Sequence, residues 1–78
     1  MKDIQLIGKI NDRVEEIVRR SGKTYAVFAD ECKVSRPCLS QIINKKRFAD
    51  INTLIKISKV TGYSIDWMVG ISEERYRL

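Results

Sequence analysis

Residues Thr24 to Asn44 read TYAVFADECKVSRPCLSQIIN, and the punctuation of this stretch decides the fold. Thr24 is an N-cap candidate for a short helix from Tyr25 to about Cys32, since a threonine hydroxyl can accept from the free backbone N–H groups of the first turn. Lys33-Val34 then makes the turn. Ser35 is the next N-cap, and Pro37 falls in the first turn of the following helix, where a missing backbone N–H leaves no bond unmade. That helix reaches Ile43 or Asn44. Leu39 and Ile42, three apart, point away from Gln41 and are read as core residues packing on Phe28 and Ala29. Ala29 is small where the two helix axes must approach closely.

Outward from this unit the same grammar continues. Leu6, Ile10, Val14, Ile17 and Val18 recur at helical spacing, so an amphipathic helix is expected from about Leu6 to Arg20, stopped by Ser21-Gly22. Downstream, Asp50 caps a helix carrying Leu54, Ile55, Ile57, Ser58 and Val60, which Gly62 ends. Ser64 caps a fifth, short helix from Ile65 to about Val69, closed by Gly70. No stretch alternates as a strand does, so the expected fold is all-α: a compact five-helix domain over residues 1–70. Residues 71–78 form a charged C-terminal tail, expected to be frayed or weakly helical.

Length and composition narrow the function classes. Seventy-eight residues suit one domain, and 44% apolar with 32% charged residues describes a packed core rather than a disordered chain. No apolar run approaches a membrane span, and a cytoplasmic protein is expected. There is no histidine, and the two cysteines, Cys32 and Cys38, lack the spacing of a zinc site, so no metal and no cofactor are expected. Both are read as free thiols, Cys32 buried and Cys38 near its helix surface. Nucleophilic catalysis lacks its usual groups, which argues against an enzyme. No segment is large enough for a separate effector domain, so a small-molecule effector is not expected.

Charge is concentrated. Lys33, Arg36, Lys45, Lys46 and Arg47 place five positive charges between positions 33 and 47 with no acid among them, whereas the other residues carry ten basic and ten acidic side chains. The formal +5 therefore belongs to one segment, the expected footprint of a phosphate-binding face.

With Thr24-Tyr25-Ala26-Val27-Phe28-Ala29, Lys33-Val34-Ser35 and Leu39-Ser40-Gln41-Ile42-Ile43-Asn44-Lys45 in view, the chain resembles the lambda-repressor-like helix-turn-helix family of Cro and cI-type regulators. Its members typically read Thr-Gln-x-x-Leu-Ala, a Gly-Val-Ser turn, and a recognition helix ending in Glu-Asn-Gly. The later part matches more closely, in Thr53-Leu54-Ile55-Lys56-Ile57-Ser58 and Gly62-Tyr63-Ser64-Ile65-Asp66-Trp67-Met68-Val69-Gly70, and the resemblance spans roughly Ile10 to Gly70. Tyr25 stands for the usual glutamine, Lys33 for the turn glycine and Ile43 for the glutamate. Either Lys33 adopts a left-handed backbone or the turn differs from the family's.

The resemblance implies a sequence-specific transcriptional regulator, with a repressor binding a DNA operator as a homodimer as the leading expectation. An antitoxin-type protein whose main role is docking a partner, through the first helix and the tail, is the alternative. Base-reading positions would be Ser35, Arg36, Pro37, Ser40 and Gln41. Arg36 suits a bidentate pair with guanine, Gln41 one with adenine, Ser40 either base or a phosphate, and Pro37 a thymine methyl. Phosphate contacts fall to Thr24, Tyr25, Lys33, Asn44, Lys45, Lys46 and Arg47. Trp67 and Met68 are read as either core residues or anchors of a dimer interface.

Overall fold

The computed structural model describes the backbone of residues 2–76 and the side chains of residues 9–76. Five helices follow one another: α1 Lys2–Ser21, α2 Tyr25–Cys32, α3 Arg36–Ile43, α4 Ile51–Thr61 and α5 Ile65–Val69. Among the described residues no strand forms, so the all-α expectation holds, and α2 with α3 makes the helix-turn-helix. The first helix begins at Lys2 rather than near Leu6, because no glycine or proline interrupts residues 2–5 before the apolar stripe. The side chain of Leu6 lies outside the described residues.

Four helices start as their capping residues require. Thr24 Oγ1 accepts from the Val27 N–H at 3.2 Å, Ser35 Oγ from Cys38 at 3.2 Å, Asp50 Oδ1 from Thr53 at 3.1 Å and Ser64 Oγ from Trp67 at 2.9 Å. Each bond satisfies a donor that the helix itself leaves unpaired.

One apolar core joins all five helices. Val14, Ile17 and Val18 of α1 meet Phe28 and Ala29 of α2, Leu39 and Ile42 of α3, Leu54 and Ile57 of α4, and Trp67 and Met68 of α5. Helix α1 packs chiefly on α5 and α3. Cys32 is a free, buried thiol, and burial pushes its pKa up, with the neighbouring Glu31 carboxylate adding to the effect. Val60 is exposed, because the inner face of α4 runs through Thr53, Leu54, Ile57 and Ser58.

Packing decides one reading that the sequence left open and corrects another. Trp67 and Met68 are almost wholly buried, so neither has a surface to offer a dimer partner. The Trp67 ring lies between Tyr63, 5.3 Å away between centroids, and the Arg13 guanidinium at 4.2 Å, an arrangement that combines apolar contact with cation–π attraction. The tail is neither frayed nor helical as far as Tyr76. It folds back so that the Ser64 N–H donates to the Arg75 carbonyl at 2.6 Å, and Tyr76 stacks against Tyr63 with centroids 5.0 Å apart.

Candidate nucleic-acid interface

The site is built around α3, whose inner face is pinned by Leu39 and Ile42, both fully buried. Because a helix turns every 3.6 residues, burying positions 39 and 42 turns Pro37, Gln41 and Asn44 outward, while Arg36 is exposed because it stands in the first turn. Ser35, Arg36, Pro37, Gln41 and Asn44 are exposed and Ser40 is half-buried; Arg36, Pro37, Ser40 and Gln41 are neighbours three and four apart on the helix, and Ser35 stands at its N-terminal end as the cap. Ile43, where the family has glutamate, turns into the core instead.

The turn before α3 closes on Lys33, which takes a left-handed conformation at φ 58°. Its N–H donates to Asp30 at 3.2 Å, and the Val34 N–H reaches back to Ala29 at 3.0 Å. The turn therefore keeps its glycine-type geometry with a lysine in place. This pair of bonds is a Schellman closure, in which the two residues after a helix satisfy carbonyls of its last turn. The end of α3 repeats it: the Lys45 N–H donates to Ile42 at 3.1 Å, the Lys46 N–H to Gln41 at 2.8 Å, and Lys45 stands at φ 62°. Lys33 and Lys45 thus flank a helix that is about 12 Å long at 1.5 Å per residue. Lys46 and Arg47 follow Lys45 in an exposed loop. Thr24 and Tyr25 are exposed at the opposite end of α2 from the turn, roughly one such helix length from Lys33.

The basic face is not free of acids. Arg36 Nη2 lies 3.1 Å from Asp30 Oδ2, and Lys45 Nζ lies 3.0 Å from Asp12 Oδ1. All four side chains are well exposed, so these pairs hold the cations in water with little net energy and can open for a stronger anion. Asn44 Nδ2 donates to Ser40 Oγ at 3.3 Å, joining two polar residues of the outer face.

Sequence reasoning missed Asn11, which is 2% exposed on the inner side of α1. Its Nδ2 donates to the Ile42 carbonyl at 2.9 Å and to the Arg47 carbonyl at 3.1 Å. The available signal was its position three residues before Val14, where a polar side chain sits on an otherwise apolar stripe.

Among the described residues no helix is long and apolar enough to cross a membrane, and no group of His, Cys, Asp or Glu could hold a metal ion. A family model described as Helix-turn-helix matches residues 14–68, most of the chain. No curated protein and no solved structure matches it.

Proposed function

Because this chain belongs to the lambda-repressor-like, XRE-type helix-turn-helix family of DNA-binding regulators, we propose that it is a sequence-specific transcriptional repressor acting on an operator as a homodimer. One observation carries the reading: Leu39 and Ile42 anchor α3 so that Arg36, Pro37, Ser40 and Gln41 form a single outer face between two cationic ends. A helix presented in this way enters the major groove with its first two turns against base edges. Arg36 reads guanine, Gln41 reads adenine, Ser40 meets a base or phosphate, and Pro37 packs on a thymine methyl. Thr24 and Tyr25 with the start of α2, Lys33, Asn44 and the loop Lys45 to Arg47 hold the backbone and carry no sequence information.

A single such domain covers one half-site, which is the reason for proposing two copies on a palindrome. With Trp67 and Met68 in the core, contact between copies would fall to exposed apolar side chains, of which Ile71, Phe48, Ile51 and Tyr76 are the most exposed.

Selection of bound sequences from a random DNA pool tests the class of function, with a palindromic motif expected. Gln41→Ala then tests the placement of α3. Across an operator substitution series at one fixed salt concentration, it should lose about 1–3 kcal/mol of discrimination at one base pair per half-site and keep the electrostatic part of binding. Equal weakening on every operator variant would mean that Gln41 does not face a base.

A further inference from the structure

We propose that Asn11 is a positioning residue that shapes the phosphate-contacting loop from outside the helix-turn-helix, an inference that rests on the DNA-binding reading above. A single side-chain amide uses both of its hydrogens on carbonyls that flank the loop: Ile42 in the last turn of α3 at 2.9 Å and Arg47 beyond it at 3.1 Å. These acceptors lie 31 and 36 residues from Asn11 in the chain, so the bonds exist only because α1 packs against α3. The next residue of α1, Asp12, holds the Lys45 side chain at 3.0 Å. Consecutive residues of α1 thus meet the loop at its first side chain, through an exposed pair that opens easily, and at its last backbone carbonyl, through the amide.

The bonds within the loop do not do the same work. Lys45 and Lys46 donate back to Ile42 and Gln41 and so close the helix, while Arg47 is tied down through the Asn11 amide. Clamping the Arg47 carbonyl fixes where the Lys46 and Arg47 side chains leave the backbone. A prearranged loop meets phosphates without first losing conformational freedom, which a mobile loop must do at each contact.

Core packing does not account for an amide here. Among the described residues no group donates to the buried Asn11 Oδ1, and an unmade bond on a buried acceptor is unfavourable. A small apolar residue would avoid that penalty, but it could not hold two carbonyls together.

The test uses the full chain in fluorescence titrations across a salt series, with a duplex selected by the parent protein and a random duplex of equal length. Asn11→Ala should weaken binding to both duplexes roughly three- to tenfold at low salt and flatten the salt slope by about one unit. The Asn11→Ala/Arg47→Ala double variant should bind little worse than Arg47→Ala alone, because both changes remove the same placed contact. An unchanged slope, or effects that simply multiply, would overturn the proposal and leave Asn11 a plain structural residue.

Should Asn11→Ala not fold at the assay temperature, Asn11→Ser leaves a smaller cavity, and amide exchange gives the second readout. Faster exchange at Lys45 and Lys46 with α5 unchanged is the expected result; unchanged exchange at both overturns the clamp. A parent protein that binds no duplex in a salt-dependent way would defeat the DNA-binding reading itself, whereas the exchange result would still report on the clamp.

Discussion

Helices α4 and α5 end on Gly62 and Gly70 at φ 83° and 89°, and α1 is followed by Gly22 at φ 70°, whereas α2 and α3 are closed by Lys33 and Lys45 at φ 58° and 62°. The backbone demand is the same in both groups, since each end turns through a left-handed residue to satisfy carbonyls of the last turn. Glycine meets that demand without strain, while a residue with a Cβ gives up about 1–2 kcal/mol. What lysine supplies and glycine cannot is charge. The two strained closures are also the two that bracket α3. On the proposed function, the chain gives up stability at the edge of its DNA face and keeps the strain-free closure elsewhere.

Replacing both lysines should have the largest effect. Lys33→Gly/Lys45→Gly removes two charges without disturbing either closure, so the salt slope should flatten by about two units and affinity should fall on operator and random DNA alike. Titrations at several salt concentrations decide it, and an unaltered slope would mean that neither lysine reaches a phosphate.

Gly70→Ala comes next. A Cβ there would stand at φ 89° and only 3.0 Å from Lys9 Cδ, so a loss of about 1–2 kcal/mol is expected in urea unfolding. Gly62→Ala should cost less, since a Cβ at that position meets nothing within 4 Å. If Gly62→Ala were the worse of the two, the crowding at Gly70 would not matter.

Each lysine replaced singly should move stability the other way by a smaller amount. Relief of left-handed strain outweighs the added freedom of glycine in the unfolded chain, for a net gain of about 0.5–1 kcal/mol per site. A loss in urea unfolding for either variant would show that the lysine side chain stabilises the fold, and the contrast between the two groups would then fail.

The smallest effect concerns the opposite helix ends. Of the four N-caps among the described residues, only that of α4 is a carboxylate, and the side-chain hydrogen bond with Thr53, helped by the Thr53 backbone bond, holds the Asp50 pKa below its ordinary value. A carboxyl with a lowered folded pKa contributes stability that is complete above its unfolded pKa and is lost as pH falls through the folded value. Asp50→Asn keeps a capping oxygen that does not titrate. It should therefore flatten the acid limb of the urea midpoint below about pH 4 and leave neutral pH little changed. An identical acid limb would assign that limb to other carboxylates.

Much of this protein was legible in the order of its residues because the governing interactions are local. Thr24, Ser35, Asp50 and Ser64 each bond to an N–H three residues on, and such a bond depends on nothing else in the chain. The outer face of α3 follows from the 3.6-residue period once Leu39 and Ile42 are taken as buried, and the basic segment from 33 to 47 is visible by counting. Tertiary packing decided the rest. Whether Lys33 would tolerate a left-handed turn depended on the α2–α3 contact that holds Ala29 and Leu39 in one core. Trp67 and Met68 were open between core and surface until α1 was seen to cover α5, and the tail acquired its course only from Tyr63 and Ser64. Asn11 showed locally only as a polar residue on an apolar stripe, and not what it holds, because its two acceptors lie more than thirty residues away and the chain between them must fold before the amide meets either one.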